Sequence, residues 1–423
     1  MSLKDTAVSK LKQLEKYTKI DMLYLTRGGF WAAVSQITLS GATLLLTVAF
    51  AHYLSKDTYG QYKYILSVAN ILKILILSGI GGAALQSIAR GYEGTLNYAF
   101  WQNIKWSALF FLAAGAGAIY YFFHGNSVLG ISLLIIGCFS PFWTSTNLYS
   151  AYLTAKKDFR RNALYFDMLG NLFPYACLFL TMMLSNSVVL LVFVYFASNT
   201  LIGIILYIRI LKIYKPNASV DLEMLHYSKH LSVMGIISVL SENIDSILVF
   251  HFIGPAQLAI YTFATGIPDQ IKGPLQNLGN LMFPKFVERE NKDIRAGMNN
   301  KILLLFISSI VMIVVYWFAA PYLYHWLFPK YMNSIFYSKI YALSLLWIIS
   351  VPANTYLSAK KKIKEQYIST TLGFVAQVVL MLAGILYWGL LGLIIARVII
   401  RLIIALIALV LYNTSSQEVI STP

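Results

Sequence analysis

Charged residues are scarce in this chain. They make up 12% of its 423 residues, whereas hydrophobic residues make up 58%; an average soluble domain is roughly 25% charged. A soluble protein of this length would need more polar residues to cover its surface, so the composition argues against an ordinary soluble fold. The apolar runs do not alternate with polar residues, which argues against a membrane barrel and favours spanning helices of about 20 residues.

Cysteine is nearly absent, and several other signals of function are missing. Cys138 and Cys177 fall within apolar runs, which predicts small core residues rather than a disulfide framework. The polar, lysine-rich stretch Met1–Arg27 has no apolar core and no small-residue cleavage site, so we predict no cleavable signal peptide. No P-loop and no cluster of His, Cys and carboxylates with metal-ligand spacing occurs. We therefore expect no ATP hydrolysis, no metal, no cofactor and no catalytic residues.

Twelve apolar segments are predicted to span the membrane, which makes the chain an all-α polytopic membrane protein. Pro268 and Pro274 interrupt the eighth segment, and proline removes a backbone donor and clashes one turn back, so we expect a kinked or broken helix there. The predicted spans are 29–53, 62–88, 101–123, 128–154, 162–184, 187–211, 229–252, 257–283, 302–320, 335–357, 367–387 and 390–412.

The net charge of +16 comes from lysines and arginines in the short gaps between apolar runs. This distribution argues against nucleic-acid binding. Basic residues cluster in the N-terminal segment and in every second loop after it, and the positive-inside rule then predicts that both termini are cytoplasmic. The C-terminal tail itself carries no lysine or arginine.

The N-terminal segment has the pattern of a short amphipathic helix. Between Leu3 and Ile20, three apolar residues, Val8, Leu11 and Leu14, fall on one side with lysines around them. Such a helix would lie on anionic lipid headgroups. The alternative is a solvated tail.

Two long-range matches reveal an internal repeat. Tyr152–Phe159, at the end of the fourth span, matches Tyr356–Ile363 at the end of the tenth, and His52–Tyr62 matches His251–Tyr261 more weakly. Each half therefore has six spans, and an even number predicts parallel repeats around a central cavity. Substrate sites of such transporters lie near the midplane between the repeats.

The repeat sets the predicted domain boundaries. An N-terminal six-helix lobe and a C-terminal six-helix lobe are joined by a cytoplasmic linker and flanked by the amphipathic segment and a cytoplasmic tail. The ranges are 1–27 for the segment, 28–211 and 229–412 for the lobes, 212–228 for the linker and 413–423 for the tail.

Several short motifs resemble those of a known transporter family. Asp57–Tyr62, after the first span, is similar to the Tyr-Gly-x-Tyr turn of polysaccharide exporters, and Leu153–Phe159 is similar to their signature after the fourth span. Asn243–Asp245, followed by Gly254–Ala256 and Ala259–Tyr261, resembles their seventh and eighth spans. The family is the lipid-linked O-antigen flippases of the multidrug/oligosaccharidyl-lipid/polysaccharide exporter superfamily.

The resemblance runs from about Gly28 to Tyr412. It implies two six-helix lobes around a V-shaped cavity, lined chiefly by the first, second, seventh and eighth helices. It also implies the bacterial inner membrane as location and a lipid-linked oligosaccharide as substrate. An O-antigen polymerase and a chain-length regulator are further partners consistent with a role in lipopolysaccharide biosynthesis.

Ionisable residues inside spans are expensive and usually face a cavity or a partner. Lys73 lies mid-depth in the second span and Lys272 mid-depth in the eighth, and the alignment of the halves pairs them; it also pairs Asn70 with Asp269. Each polar residue lies three positions before its lysine, on the same helix face. Two lysines facing each other across the cavity would suit a pyrophosphate linkage. The alternative is a structural ion pair between Lys272 and Asp269.

Four more charged residues complete the candidate site. Glu242 and Asp245 share a face of the seventh span and are candidates for proton coupling, since burial makes a carboxylate hold its proton longer. Arg397 and Arg401, one turn apart in the last span, could contact substrate, but pairing with Glu242 or Asp245 is the favoured interpretation.

Three functions remain open from the sequence. The first is a flippase that carries an undecaprenyl-pyrophosphate-linked O-antigen or related polysaccharide unit to the periplasmic leaflet by alternating access. The second is a cation-coupled multidrug exporter of the same superfamily, although basic residues in the spans argue against it. The third, a membrane-embedded polymerase or ligase, is weakest because the longest external gap, around 321–334, is short and nearly uncharged.

Overall fold

A computed structural model describes residues 22–288 and 291–421. These residues form helices and short connections, and no β-strand occurs among them. The predicted amphipathic segment at residues 3–20 lies outside the described residues. The helices of ten or more residues are α1 Met22–Tyr53, α2 Lys56–Leu72, α3 Ile80–Ala89, α4 Thr95–Phe123, α5 Ser127–Ala155, α6 Phe159–Leu184, α7 Val188–Tyr214, α8 Met224–Phe252, α9 Pro255–Glu288, α10 Met298–Leu327, α11 Ser334–Ala359, α12 363–388 and α13 390–421. A short helix, Asn291–Ala296, precedes α10.

The all-α membrane architecture predicted from the sequence is confirmed. Within the described ranges, nine helices are long and apolar enough to span a membrane, or up to ten if α2 and α3 count as one broken span. This number treats residues 363–415 as one helix and omits α9. The prediction of twelve spans therefore stays a prediction.

The chain reverses direction at Gly389, between α12 and α13. Its φ of 57° and ψ of −135° are accessible in practice only to glycine. A Cβ on Gly384 would lie 2.5 Å from the carbonyl oxygen of Gly392, so the two helices approach backbone to backbone after the turn. Residues 363–421 are thus a hairpin of two helices.

The broken helix occurs in the second predicted span, not in the eighth. After α2 the chain forms a single 3-10 turn at Lys73–Leu75 and becomes extended at Ile76, and α3 begins at Ile80. In contrast, α9 continues through Pro268 and Pro274 without interruption. The prediction of a broken eighth span is therefore wrong, whereas a kink in α9 stays a prediction.

The chain divides into two compact units. Among the described residues, unit 1 contains 22–49 and 72–236, and unit 2 contains 50–71, 237–288 and 291–421. This division differs from the lobes predicted from the sequence at two places. Phe50–Ile71 belongs to unit 2, and the linker 212–228 together with the first half of α8 belongs to unit 1.

The linker is held to unit 1 by side-chain hydrogen bonds. The Asn217 side chain accepts from the backbone N–H of Glu93 (3.1 Å) and donates to the carbonyl of Gly91 (2.9 Å). Asp221 accepts from the Ser87 hydroxyl at 2.6 Å, and its N–H donates to the Thr95 hydroxyl at 3.1 Å. Residues 217–221 are therefore part of the unit 1 scaffold.

Glu93 completes this polar cluster. Its carboxylate is ion-paired with Lys156 and accepts a hydrogen bond from the Tyr152 hydroxyl at 2.8 Å. The hydrogen bond from Lys156 is the main reason why the pKa of Glu93 lies below its ordinary value.

The repeated sequence signature folds in the same way in both units. In unit 1, the N–H of Lys157 donates to the carbonyl of Thr154 and that of Asp158 to Leu153, and in unit 2 Lys361 and Lys362 make the equivalent bonds to Ser358 and Leu357. This is the Schellman pattern of a helix C-terminus. Lys157 and Lys361 take the left-handed position, with φ of 58° and 53°. Since glycine is usual there, both caps carry backbone strain.

The two cysteines are not both in the core. Both have free thiols, Cys138 is exposed and Cys177 is partly exposed. The prediction that Cys138 is a core residue is wrong because lipid is as apolar as a protein interior, so an apolar run does not show which face of its helix is buried.

Candidate functional site

In unit 1, a cleft of about 460 Å³ lies beside the break between α2 and α3. Lys73 lines this cleft, and its ammonium lies over the Trp143 ring of α5, 4.5 Å from the ring centroid. Such a cation–π contact stabilises an ammonium by roughly 0.5–2 kcal/mol. No carboxylate occurs among the described residues that line the cleft.

The break itself is fixed by a close contact with α8. The N–H of Gly79 donates to the Ser232 hydroxyl at 2.9 Å. A Cβ on Gly79 would lie 2.5 Å from the Leu231 Cβ and 2.7 Å from the Ser232 nitrogen, so no larger residue fits. This contact holds the start of α3 beside the cleft.

A buried amide also lines the cleft. The Asn103 amide nitrogen donates to the hydroxyls of Ser145 (3.0 Å) and Thr144 (3.3 Å). Both hydroxyls donate their own protons to backbone carbonyls, so they can only accept a hydrogen bond from Asn103. The amide nitrogen of Asn103 must therefore point at them. Its Oδ1 is buried, and no described residue donates a hydrogen bond to it. An unsatisfied buried acceptor is costly in a native structure and indicates a ligand, a water or a functional constraint.

Unit 2 contains a buried cluster of charges around Asp245. Its carboxylate lies 3.4 Å from the Arg397 guanidinium and accepts a hydrogen bond from the Tyr261 hydroxyl at 2.5 Å. Lys63 is also close enough for its charge to interact with Asp245. The side chains of Asp245 and Arg397 are only 7% and 15% exposed, so these charges are largely removed from solvent.

Asp269 forms a second cluster with Arg401. The Arg401 guanidinium donates to the Asp269 carboxylate at 2.7 Å and to the Ser344 hydroxyl at 2.7 Å. The Tyr341 hydroxyl also lies 3.1 Å from the carboxylate. The guanidinium carbon is 4.7 Å from the Tyr341 ring centroid. Asp269 is therefore bound mainly by Arg401 and not by Lys272.

Lys272 lies over a tryptophan, as Lys73 does. Its ammonium is 5.0 Å from the centroid of the Trp347 ring. Among the described residues it forms no ion pair with Asp269, so the structural pair considered from the sequence is not present. Trp347 lines a cleft of about 380 Å³ in unit 2. A lysine on a tryptophan therefore borders a cleft in each unit.

The remaining predicted site residues have separate environments. The Asn70 amide lies 3.4 Å from that of Asn243, and both residues belong to unit 2, whereas Lys73 belongs to unit 1. Glu242 is exposed, although it lies one turn from the buried Asp245. Of the two arginines, Arg397 pairs with Asp245 and Arg401 with Asp269.

Comparison with known proteins identifies the family. Residues 25–273, more than half of the chain, match the family described as polysaccharide biosynthesis protein. The chain belongs to the polysaccharide biosynthesis protein family. A comparison with curated proteins finds no match.

Several solved structures share this fold. An inward-facing multidrug resistance MATE family transporter has a TM-score of 0.66 at 16% identity, covering 95% of this chain and 96% of that chain. The lipid II flippase MurJ, in an inward closed conformation, has a TM-score of 0.61 at 15% identity, covering 91% and 87%. A MOP superfamily transporter from Pyrococcus furiosus, described as having a binding pocket of reverse polarity, has a TM-score of 0.63 at 15% identity, covering 93% and 96%. These likenesses show the fold, and the chain is a multi-pass membrane protein.

This member of the polysaccharide biosynthesis protein family has site residues that the sequence interpretation missed. Trp143 and Trp347 could have been found, because the spacing that aligns Tyr152 with Tyr356 also aligns these two tryptophans. Asn103, Lys63, Tyr261 and Tyr341 carry no comparable signal, since their roles depend on which helices pack together.

Proposed function

We propose that this protein is a flippase for a lipid-linked saccharide. Its substrate would be an undecaprenyl-pyrophosphate-linked O-antigen unit or a related polysaccharide unit, carried from the cytoplasmic to the periplasmic leaflet by alternating access. The proposal places the protein in the bacterial inner membrane with both termini in the cytoplasm. A polymerase and a chain-length regulator would act on the product.

The observation that carries the proposal is the cation–π contact between a lysine ammonium and a tryptophan ring in each unit. A charge inside a span costs several kcal/mol unless it has a partner or a function. The pairs Lys73–Trp143 and Lys272–Trp347 recur at equivalent positions of the repeat. Lys73 lines the cleft of unit 1, and Trp347 lines the cleft of unit 2. An ammonium binds phosphate as a point charge, and a tryptophan face packs against sugar rings. The two groups together match a saccharide joined to a pyrophosphate.

The two candidate coupling residues, Asp245 and Glu242, differ in environment and in proposed role. Asp245 is neutralised by Arg397 and bonded by Tyr261, which favours a scaffold role. Glu242 is exposed and is the better candidate for a proton that moves during transport. A coupling role for either carboxylate is part of the proposal.

The proposal is tested by replacing the two lysines with alanine. Lys73→Ala and Lys272→Ala are each expected to abolish surface polysaccharide while protein abundance stays close to wild type. Replacing either lysine by arginine should restore surface polysaccharide only partly, because the planar guanidinium of arginine differs in shape from the compact ammonium of lysine. The matched control is Lys229→Ala, since Lys229 lies 4.9 Å from the Trp106 centroid in unit 1 and does not line the cleft. If loss of polysaccharide only tracks loss of protein, the lysines are structural and the proposal fails.

A further inference from the structure

We infer that the broken second span of unit 1 forms a binding site for a glycosyl phosphate. In this site the phosphate binds to the start of α3 and to Lys73, and the sugar lies in the adjoining cleft. The inference rests on the proposed function and assigns the phosphorylated end of the substrate to residues of unit 1 alone.

The start of α3 offers backbone donors to the cleft. Ser78, Gly81 and Gly82 all line it, and within the described ranges no hydrogen bond is accepted from the N–H of Gly81 or Gly82. The first N–H groups of a helix have no intrahelical acceptor and sit at the positive end of the helix dipole, which favours anions. A helix that starts inside the membrane is the usual way in which transporters bind anionic groups of their substrates.

The two glycines keep the backbone accessible. A Cβ on Gly81 would meet only the Leu148 side chain, at 3.9 Å, and one on Gly82 only the Leu231 side chain, at 3.5 Å. Both positions would therefore tolerate alanine sterically, unlike Gly79. Helix packing does not require glycine at 81, whereas close approach of a ligand to the N–H groups does.

Asn103 is the independent observation that indicates a sugar. Its orientation is fixed by Ser145 and Thr144, so the group without a partner is the acceptor Oδ1. A phosphate oxygen cannot satisfy an acceptor, whereas a sugar hydroxyl can. The side chains of Asn147 and Ser150 extend the polar lining on α5. A cation, free N–H donors and an unsatisfied acceptor in one cleft match a ligand with both a phosphate and hydroxyl groups.

Unit 2 does not reproduce this arrangement, although it has the Lys272–Trp347 pair. There α9 is continuous and provides no helix start at the equivalent depth. The described residues that line the unit 2 cleft include no lysine, whereas Lys73 lines the cleft of unit 1. The structure therefore favours unit 1 as the site of the phosphate.

The test is titration calorimetry on the purified full-length protein in phosphatidylcholine nanodiscs. The probes are glucose 1-phosphate, inorganic pyrophosphate and glucose. Glucose 1-phosphate and pyrophosphate should each bind once per chain, and glucose should bind more weakly than its phosphate. Lys73→Met should weaken both phosphorylated probes by about 10- to 100-fold, the usual effect of losing a charge-assisted hydrogen bond. Gly81→Ala should weaken them about 3- to 10-fold, because the methyl group enters the cleft above the N–H groups.

Gly115→Ala in α4 is the matched control. It also replaces a helical glycine, and its Cβ would meet nothing within 4 Å. Its affinity should equal that of wild type, and a thermal midpoint for Gly81→Ala at or above that of wild type would show that lost binding is not lost folding. Asn103→Leu should weaken glucose 1-phosphate but not pyrophosphate, since only the sugar donates to Oδ1.

Three results would overturn the inference. The first is no binding of either phosphorylated probe to wild type. The second is binding that Lys73→Met and Gly81→Ala leave unchanged. The third is displacement of pyrophosphate by phosphatidylglycerol in the nanodisc without any binding of glucose 1-phosphate, which would assign the site to a lipid headgroup. Failure of the proposed function would look different: the variants would still lose probe binding, but the wild-type protein would not translocate a lipid-linked saccharide.

Discussion

Replacing Asp245 by asparagine should destabilise the protein more than replacing its partner Arg397 by methionine. Asp245→Asn preserves the shape of the side chain but leaves Arg397 without its ion-pair partner and removes the negative charge that interacts with Lys63. An unpaired buried charge costs about 3–5 kcal/mol. Arg397→Met leaves Asp245 with the Tyr261 hydroxyl and with Lys63, so we expect a smaller cost of about 1–3 kcal/mol.

The same geometry makes a specific prediction for combined variants. Asp245→Leu with Arg397→Leu removes one cation and the carboxylate but leaves Lys63 unbalanced, so recovery should be partial. Adding Lys63→Met should bring stability close to wild type, because apolar residues of similar volume can replace a buried ionic group. The assay is the thermal midpoint of purified protein in one detergent, analysed as a mutant cycle.

The outcome also separates scaffolding from coupling. If Asp245→Asn unfolds at the wild-type midpoint, the reasoning about buried charge is refuted. If it is also competent to bind substrate but does not transport it under a pH gradient, Asp245 carries the proton. The same transport assay on Glu242→Gln, at an exposed position, should show loss of transport without loss of stability if Glu242 is the coupling residue.

Three further predictions follow from the loops and caps. Reporters fused after Lys157, Lys215, Arg295 and Lys361 should report cytoplasm and those near Asn126, Ser187 and Lys330 periplasm; two or more reversed readings would overturn the span count. Glu93→Gln should lower stability at pH 7 by on the order of 1 kcal/mol, and the difference should shrink in thermal melts as the pH falls below about 4. This sign follows because a carboxylate with a lowered pKa stabilises the fold above its ordinary pKa and loses that contribution as it protonates; a difference that persists at pH 3 would contradict it. Lys157→Gly and Lys361→Gly should each raise stability by about 0.5–1 kcal/mol by removing left-handed strain. Lys360→Gly, at an ordinary negative φ, should lower stability. Equal effects at the three positions would refute the role of strain.

The sequence was sufficient for the architecture because lipid imposes a strong pattern on it. Apolar runs must be helices in a bilayer, and the repeated Tyr-Leu-x-Ala-Lys-Lys signature marked equivalent helix ends that do fold alike. Lys73 and Lys272 were recognisable because a charge within an apolar run is conspicuous. Their tryptophan partners were also present in the repeat spacing.

Tertiary contacts explain what the sequence could not show. No proline marks the break before α3, which depends on the approach of Gly79 to Leu231 and Ser232. Two prolines do mark α9, yet the helix continues through them. Which arginine pairs with which aspartate depends on the register of α13 against α8 and α9, and an apolar run contains no information on register.

The most direct test of the central claim is a translocation assay in proteoliposomes. The substrate is the lipid-linked saccharide extracted from the source organism, labelled on the sugar with a fluorophore that a membrane-impermeant reductant destroys. We predict that wild type and the Lys229→Ala control expose the inner-leaflet pool to the reductant, whereas Lys73→Ala at equal protein content behaves like protein-free vesicles. Translocation by Lys73→Ala at the wild-type rate, or none by wild type, would contradict the account.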